Sequence, residues 1–230
     1  MELSIDTSTD IATIALSHLG KVRAEFTWVV GMNHTTQLMP TIERMLKACD
    51  TVFAQVEAVF VGLGPGSFAG IRVAMATAKG LALSLSVPIV GISTLEIEAY
   101  PFACTSLPIC AIHDAGRNEL AVAMFQQVSG QWRTLDQDRL TSLEALCAET
   151  STRTVFCGEM SEQVAERLRL ALGDSAVIPG TAARLRRAGM LAELGWARLQ
   201  LGHTDDTATL QPTYIRRPHI TVPKQHAWPV

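Results

Sequence analysis

The hydrophobic and polar positions of the first hundred residues alternate in blocks that predict an α/β unit. Three short β-like runs come first and are joined by polar or glycine-containing turns: LSIDTS, IATIALS and VRAEFTWVV. Residues 34–49 carry apolar side chains at helical spacing, and VEAVFVGL (56–63) is a continuous apolar run typical of a buried strand. A helix over about 67–86 and the strand VPIVGI complete the predicted order βββαβαβ.

The second half of the chain repeats this pattern. It runs through the strands LPICAIHD, ELAVAMFQQ and QWRTLDQD, the helix SLEALCAET, the strand TVFCG, the helix SEQVAERLRLAL, the strand SAVIPG and the helix AARLRRAGMLAELGWARLQ. When the halves are overlaid at an offset of 108, Asp6 falls on Asp114. A β-turn-β unit with an aspartate ending its first strand, present twice, predicts a duplicated actin-like (ribonuclease H-like) α/β fold. We expect βββαβαβα lobes over 1–103 and 104–230.

The segment GLGPGSFAGIRVAMATAKGLALSL, 62–85, is the least polar part of the chain. Its predicted helix is apolar nearly all round, with Arg72 and Lys79 as a narrow charged seam. Such a helix is normally buried nearly all round, whereas one face of an outer helix should meet water. Small residues such as Ala76 and Gly80 permit close approach of another helix. Ordinary core packing and a partner-binding surface both stay open, and we favour the partner.

The expected partner or dimer interface combines this helix with the helix over 34–49, whose apolar stripe is flanked by methionines. Its residues are Met32, His34, Leu38, Met45, Phe68, Ile71, Arg72, Met75, Ala76, Lys79, Gly80 and Leu83. The turn Gly64-Pro65-Gly66-Ser67 precedes the helix, with Ser67 as its expected N-cap. It lacks the lysine and hydroxyl pair of a P-loop, so we interpret it as a structural turn rather than a phosphate cradle.

The candidate nucleotide-binding residues follow the first predicted strand of each half. In an actin-like fold, the hairpin turns after the first strand of each half hold the nucleotide phosphates. We expect a weak, vestigial site formed by Asp6, Thr7, Ser8 and Asp114. The alternative that Asp6 only caps its own turn stays open. A catalytic or pH-sensitive pair of His113 and Asp114 also stays open.

Composition narrows the classes of function. The 230 residues carry a net charge of −3, so any binding of nucleic acid should depend on a partner's charge. The five cysteines are odd in number and form no C-x-x-C pair, which argues against a disulfide framework and a zinc knuckle. The arginines at 184, 186 and 187 are interpreted as solvated charge.

The localisation expected from the sequence is cytoplasmic. The N-terminus lacks the basic region of a signal peptide. The longest apolar region, 67–92, is interrupted by Arg72, Lys79 and Pro88, so we expect it to fall short of a membrane span.

Several motifs of this chain resemble the TsaB (YeaZ) family. They are SIDTST, NHTTQLMPTIERML, GLGPGSFAGIRVAMATAKGLAL, PIVGISTLE and Pro212-Thr213-Tyr214-Ile215-Arg216, spread from residue 3 to 217. Members are bacterial actin-like proteins required to make threonylcarbamoyladenosine next to the anticodon of transfer RNAs that read codons beginning with adenine. Ala69 in place of the usual threonine, and Ala115-Gly116-Arg117 as a shifted form of Asp-Ala-Arg, depart from the family pattern.

The resemblance implies a non-catalytic scaffold or activator subunit. Its partners would be the larger catalytic paralogue TsaD, docked through the N-terminal-lobe helices, and a small ATPase, TsaE. A homodimer is implied when TsaD is absent, and contact with transfer RNA only through the complex. TsaD carries a metal-binding His-x-x-x-His where this chain has Ser93-Thr94-Leu95-Glu96-Ile97-Glu98, so ATP and metal would belong to the partner subunits and this chain would bind no cofactor. An independent actin-like ATPase or kinase using Asp6 and Asp114, and a metallopeptidase, are the alternatives.

Overall fold

The computed structural model describes residues 1–31 and 33–215. Its strands form two five-stranded sheets. The first sheet contains β1 (Glu2–Asp6), β2 (Ile11–His18), β3 (Lys21–Val29), β4 (Ala58–Gly62) and β5 (Ile89–Ile92). The second contains β6 (Ile109–Asp114), β7 (Leu120–Val128), β8 (Gln131–Thr141), β9 (Thr154–Cys157) and β10 (Ala176–Val177). The expected interface residue Met32 and the last residue of the tail motif, Arg216, lie outside the described residues.

Helices connect or flank these strands. They are α1 (His34–Ala48), α2 (Phe68–Leu85), α3 (Thr94–Ala99), α4 (Leu143–Glu149), α5 (Glu162–Leu172) and α6 (Ala188–Gln200). Short 3-10 helices cover Phe53–Gln55, Tyr100–Thr105 and Gly173–Ser175. The helices predicted over 34–49 and 67–86 are confirmed to within a residue at each end.

The two sheets share one topology. The strand order is β3-β2-β1-β4-β5 in the first sheet and, read in the same direction, β8-β7-β6-β9-β10 in the second. In each sheet the first three strands form an antiparallel meander, and the last two strands add in parallel. Asp6 and Asp114 both end the first strand of their sheet. These observations confirm the predicted duplication.

Two helices cross from one half of the chain to the other. Helix α3 packs on β6 and β7 of the second sheet, whereas α6 packs on the strands of the first sheet. The expected boundary between residues 103 and 104 falls within Tyr100–Thr105, which carries the chain from α3 to β6. The two halves are therefore interlocked, and both contribute residues to the region between the sheets.

Strand β4 shows why its sequence is continuously apolar. Val59 and Val61 lie in the core formed with α1 and α2. Phe60 points to the other face of the sheet and packs with Leu191 and Leu194 of α6. All five residues of β4 are buried because helices cover both faces of the sheet.

The last predicted helix is shorter than its sequence indicates. We expected it to begin near residue 182, but α6 begins at Ala188. Between 184 and 187, buried and exposed residues alternate, and both Arg184 and Arg186 point inward. A helix would place these two side chains about 200° apart, so their common direction requires a non-helical backbone. The predicted strand SAVIPG is likewise reduced to Ala176–Val177.

Helix α2 is long and apolar enough, by length and composition alone, to cross a membrane. The core helix of a protein that lies in no membrane passes the same test, so this result does not contradict the expectation that the segment falls short of a membrane span. In the fold, however, α2 packs on β4 and β1. One side of the helix is buried in this contact: Gly70, Ile71, Ala74, Met75, Ala78 and Ala82. The packing accounts for the apolar character of that side.

Replacing Gly195 by alanine tests how closely α6 approaches the sheet. A Cβ atom at Gly195 would lie 2.4 Å from the ring of Phe60. We therefore expect the free energy of unfolding, measured by urea denaturation, to fall by about 1–3 kcal/mol.

Gly80→Ala in α2 is the matched control. A Cβ atom there meets nothing within 4 Å among the described residues, so helix propensity should leave stability unchanged or raise it by up to about 1 kcal/mol. Equal stability of the two variants would contradict the close packing of α6.

Candidate functional site

A cleft of about 710 Å³ separates the two sheets. Thr9 and Asp10 of the first hairpin turn line one wall, and residues 113–116 of the second turn line the other. The turn before α2 and residues 213–215 of the C-terminal tail complete the lining. The two strand-end turns singled out in the sequence therefore border one cleft.

The polar side chains of the first hairpin turn, which follows β1, point into the protein. Asp6 and Thr7 are fully buried, and Ser8 is 1% exposed. The backbone N–H and the hydroxyl of Ser8 both donate to Asp6 Oδ1, at 2.8 and 2.5 Å. The hydroxyl of Thr7 donates to the carbonyl oxygen of Gly70 at 2.7 Å. These hydroxyls are thus engaged within the chain at the position where phosphates would be expected.

The N-terminus of α2 fills the space beside this turn. Ser67 caps the helix, with its hydroxyl accepting from the Gly70 N–H, as predicted. The Ser67 N–H donates to the carbonyl oxygen of Ser8 at 2.5 Å. A Cβ atom on Gly66 would lie 2.1 Å from Ser8 O, and one on Gly70 would lie 2.0 Å from Thr7 O. Only glycine permits this approach at either position.

Gly64 begins the predicted turn and has a φ of 98°, which favours glycine. Its N–H donates to Thr94 Oγ1 at 3.1 Å. A Cβ atom at Gly64 would lie 2.8 Å from the Ile71 side chain. Pro65, Gly66 and Ser67 continue the turn along the wall of the cleft.

Arg186 lies between the two sheets with its side chain fully buried among three carboxylates. Its Nε is 3.1 Å from Asp6 Oδ2, in an ion pair without hydrogen-bond alignment. Its Nη1 is 2.9 Å from Glu159 Oε1 and 3.4 Å from Glu98 Oε1. A cation therefore already occupies the space beside the strand-end aspartate.

The same guanidinium also holds the hairpin that follows β1. Its Nη2 donates to Thr9 Oγ1 and to the carbonyl oxygen of Ile11, both at 2.9 Å. The Thr9 hydroxyl donates to Glu159 Oε1 at 2.9 Å. Because Thr9 belongs to the first half and Glu159 to the second, this network joins the two halves.

Burial sets the protonation of the cluster. It raises the pKa of Glu98 to about 8, against the opposing effect of Arg186, and the neighbouring Glu159 and Asp6 raise it further. Burial lowers the pKa of Arg186, but the neighbouring acidic groups, Asp6 first, outweigh this and hold it above its ordinary value. Glu98 is therefore mainly protonated at neutral pH, while Arg186 stays charged.

The second turn is more open. Asp114 is exposed, and its Oδ1 accepts from the Gly116 N–H at 2.8 Å. His113 is partly buried, and burial lowers the pKa of its imidazole. Its Nδ1 has no hydrogen-bond partner among the described residues. The structure therefore shows no His113–Asp114 hydrogen bond between the described side chains.

The structure narrows the expected partner interface. Five of its residues lie in the chain's own interior: His34, Leu38, Met45, Ile71 and Met75. The side chains of Leu38, Met45 and Met75 pack between the helices and the first sheet because the apolar stripes of α1 and α2 both face it. All five residues have almost no free surface to offer a second molecule, which corrects that part of the expectation.

The other described interface residues lie on the outer side of α2. Phe68, Arg72, Ala76, Gly80 and Leu83 are exposed, and Lys79 is partly buried. Of the expected interface residues that the structure describes, those with free surface therefore lie on one face of α2.

The C-terminal tail flanks this face. Lys79 Nζ donates to the carbonyl oxygens of Ala208 and Leu210 at 3.2 and 3.1 Å. The ring of Tyr214 lies 5.2 Å from that of Phe68, and the Arg72 guanidinium lies over Phe68 at 5.0 Å. The tail therefore covers one flank of the outer side of α2.

Sequence reasoning missed Arg186, Glu98 and Glu159. Arg186 and Arg184 were assigned to solvated charge, but both are buried. No local pattern points to the cluster, because Asp6 and Arg186 lie 180 positions apart. The available signal for a buried charge was a charged residue in an otherwise apolar context, such as Glu98 after Ile97.

Glu98→Gln tests the electrostatics of the cluster. The folded-state pKa of Glu98, about 8, lies above its ordinary value of 4.5. Between these values the folded state binds more protons than the unfolded state, so stability should fall as pH rises through this window. Each pKa unit is worth about 1.4 kcal/mol, so the decline should reach several kcal/mol.

We expect the Gln variant to lack this decline in urea unfolding followed from about pH 5 to pH 9. The exposed Glu166 provides the matched control, because Glu166→Gln should leave the wild-type pH dependence in place. If the Glu98→Gln curve runs parallel to the wild-type curve, the proposed protonation of Glu98 is wrong.

Comparison with known proteins places the chain in a family. The family model TsaD, tRNA N6-adenosine threonylcarbamoyltransferase, matches residues 29–221. The tRNA threonylcarbamoyladenosine biosynthesis protein TsaB of Bacillus subtilis is 29% identical over 93% of both chains. The alignment thus spans nearly the whole length of that relative.

Solved structures agree on the architecture. YeaZ from Pseudomonas aeruginosa aligns with a TM-score of 0.79 and 24% identity over 93% of this chain and 98% of that one. The activator of 2-hydroxyisocaproyl-CoA dehydratase from Clostridium difficile, with bound ADPNP, aligns with a TM-score of 0.50 and 10% identity over 87% and 96%. Both likenesses concern the fold alone, and they confirm a duplicated actin-like α/β fold. The chain therefore belongs to the TsaB (YeaZ) family, within the wider family that the TsaD model describes.

Proposed function

We propose that this chain is a non-catalytic scaffold in the synthesis of threonylcarbamoyladenosine on transfer RNA, at the adenosine next to the anticodon. Its curated relatives are named for this pathway. The observation that carries the non-catalytic role is the filled nucleotide position. Arg186 pairs with Asp6, and Thr7 bonds to Gly70 of α2. A turn engaged in this way contributes to the pathway through binding rather than catalysis.

The charge of the cleft supports the same conclusion. Its lining includes the carboxylates of Asp10, Asp114 and Glu159. The neighbouring cation, Arg186, is buried and already paired. Negative side chains facing the cleft disfavour a triphosphate by like-charge repulsion. We therefore assign ATP and metal to the partner subunits, and no cofactor to this chain.

The outer side of α2 is the surface that we assign to the partner. Leu83 and Phe68 are 65% and 43% exposed, and burying the exposed part of each would contribute a corresponding fraction of the about 1.5–3 kcal/mol that a whole apolar side chain gains. Gly80 and Ala76 lie between them and keep the surface low enough for a second helix to approach closely. A paralogue with the same fold would present an equivalent helix. We propose that a TsaD-like catalytic subunit packs here.

The other partners follow from this assignment. Without TsaD, a second copy can place its own α2 on the same face, which gives a symmetric homodimer. A net charge of −3 gives the chain little affinity for the RNA backbone, so transfer RNA should be bound only through the complex. A TsaE-like ATPase would join the assembled pair, and we place the assembly in the cytoplasm.

Glutamate substitutions on α2 test the docking surface. Ala76→Glu or Gly80→Glu would bury an unpaired charge at a helix contact, so the dissociation constant for the cognate TsaD-like subunit should rise roughly a hundredfold or more. Isothermal titration calorimetry measures this constant, and thermal unfolding checks that the fold is kept.

Ala171→Glu provides the matched control, because Ala171 is an exposed helical alanine of α5 in the other half. The control should bind as the wild type does. Wild-type affinity in the α2 variants would show that the partner docks elsewhere.

Nucleotide binding by the isolated chain has a direct test. Millimolar ATP with magnesium should leave the thermal unfolding temperature unchanged, because a ligand stabilises a protein only to the extent that it binds the folded state. A concentration-dependent rise that Asp6→Asn abolishes would instead support an independent ATPase or kinase.

A further inference from the structure

We propose that Arg186 is a positioning residue for the docking helix: it fixes the first hairpin turn and, through that turn, the N-terminus of α2. The consequence for partner binding rests on the proposed function. The structural part concerns this chain alone and can be tested without any partner.

The backbone around Arg186 is anchored at the crossing between the two sheets. Residues 178–187 lead from β10 of the second sheet to α6 on the first. The Ala188 N–H donates to Thr13 Oγ1 at 3.0 Å, and Arg187 pairs with Glu25 of β3 at 2.6 Å. Arg186 thus projects from a fixed point of the first sheet into the region between the halves.

Each nitrogen of the Arg186 guanidinium contacts a different group. Nη2 binds Thr9 and the Ile11 carbonyl, Nε lies beside Asp6, and Nη1 binds Glu159 of the second half. A planar group with several donors in a fixed arrangement can hold these groups simultaneously, whereas a lysine ammonium is a single point charge. The turn after β1 is therefore held on both of its sides by one side chain.

The first hairpin turn is packed closely against the N-terminus of α2. Thr7 donates to Gly70 O at 2.7 Å, and Ser67 donates to Ser8 O at 2.5 Å. Neither Gly66 nor Gly70 has room for a Cβ atom beside the turn. Any displacement of the turn must therefore displace the first turn of α2.

Removal of the cation would displace this turn. Asp6 and Glu98 are almost completely buried, and Glu159 is mostly buried. Without Arg186, their carboxyl groups would lack a common partner, and unpaired buried acids draw in water or move apart. Asp6 ends β1 directly before the turn, so the disturbance would begin at the point that supports α2.

Hydrogen exchange of the Arg186→Ala variant tests this coupling in the isolated full-length chain. We expect exchange to become roughly tenfold faster or more in residues 6–11 and 66–72, because charged hydrogen bonds that hold the turn are lost. Residues 120–141 of the second sheet should exchange as in the wild type. Guanidinium ion at millimolar concentration should slow exchange again by occupying the vacated space.

Two further variants sharpen the result. Arg167→Ala is the matched control, because Arg167 is an exposed arginine of α5 whose ion pair among the described residues is with Glu144, away from the cluster. It should leave exchange in α2 unchanged. Arg186→Lys keeps the charge but not the fork of donors, so it should resemble Arg186→Ala at 66–72.

If Arg186→Ala does not fold, Thr9→Val provides a milder test. It removes the hydroxyl that links Arg186 to Glu159 and should produce the same local pattern with a smaller amplitude. Unchanged exchange at 66–72 in the variants that fold would overturn the proposal. So would equal acceleration across both sheets, because that pattern reports only lost global stability.

Partner binding separates this inference from the proposed function. Arg186→Ala should weaken association with the cognate TsaD-like subunit roughly tenfold, and guanidinium should restore it. Guanidinium should not restore binding in Ala76→Glu, whose defect lies on the surface itself. Normal binding by Ala76→Glu would defeat the docking assignment while leaving the exchange test intact. Loss of binding in Arg186→Ala without guanidinium rescue would overturn the positioning role.

Discussion

The arrangement of the two halves depends on one buried guanidinium among three carboxyl groups. Charges taken out of water are costly, and they persist in an interior only when they are paired and hydrogen-bonded. Arg186 pairs with Asp6 and Glu159 and donates to Thr9, and these groups come from different parts of the chain. Removing one partner of such a network typically costs about 3–5 kcal/mol, so each of these groups fixes the others. The relative position of the two sheets is therefore set by polar contacts as well as by the apolar core.

The two halves share one fold, but the turns that follow their first strands differ. Asp6 and Asp114 end equivalent strands, yet Asp6 is fully buried beneath Arg186 while Asp114 faces the cleft. The difference arises because the first turn lies against the N-terminus of α2, where two glycines allow direct backbone contact. The first turn thus supports a helix, whereas the second turn borders the cleft. The cleft between the two turns is lined by the acidic side chains of Asp10, Asp114 and Glu159.

The fold could be predicted from the sequence because its signals are local and repeated. Alternating runs define the hairpins, and β4 reads as continuously apolar since helices cover both of its faces. The predicted start of α6 was wrong because Arg184 and Arg186 were interpreted as the polar side of a helix, whereas both side chains point inward. The site was missed for a related reason. Periodicity shows which residues share a face, but it cannot show which distant charge will meet a buried acid.

The apolar character of α2 has three separate physical origins. One side is apolar because it packs on the first sheet, and one flank is covered by the tail through Lys79 and Tyr214. The remaining strip carries Ala76, Gly80 and Leu83, for which the described residues provide no such cover. Glycine in an exposed helix interior costs about 1 kcal/mol relative to alanine, and an exposed leucine gains nothing from water. Both choices become favourable when a second helix packs closely on this strip. The internal packing of α2 therefore explains most of its composition, and the docking that we propose would account for the composition of the strip.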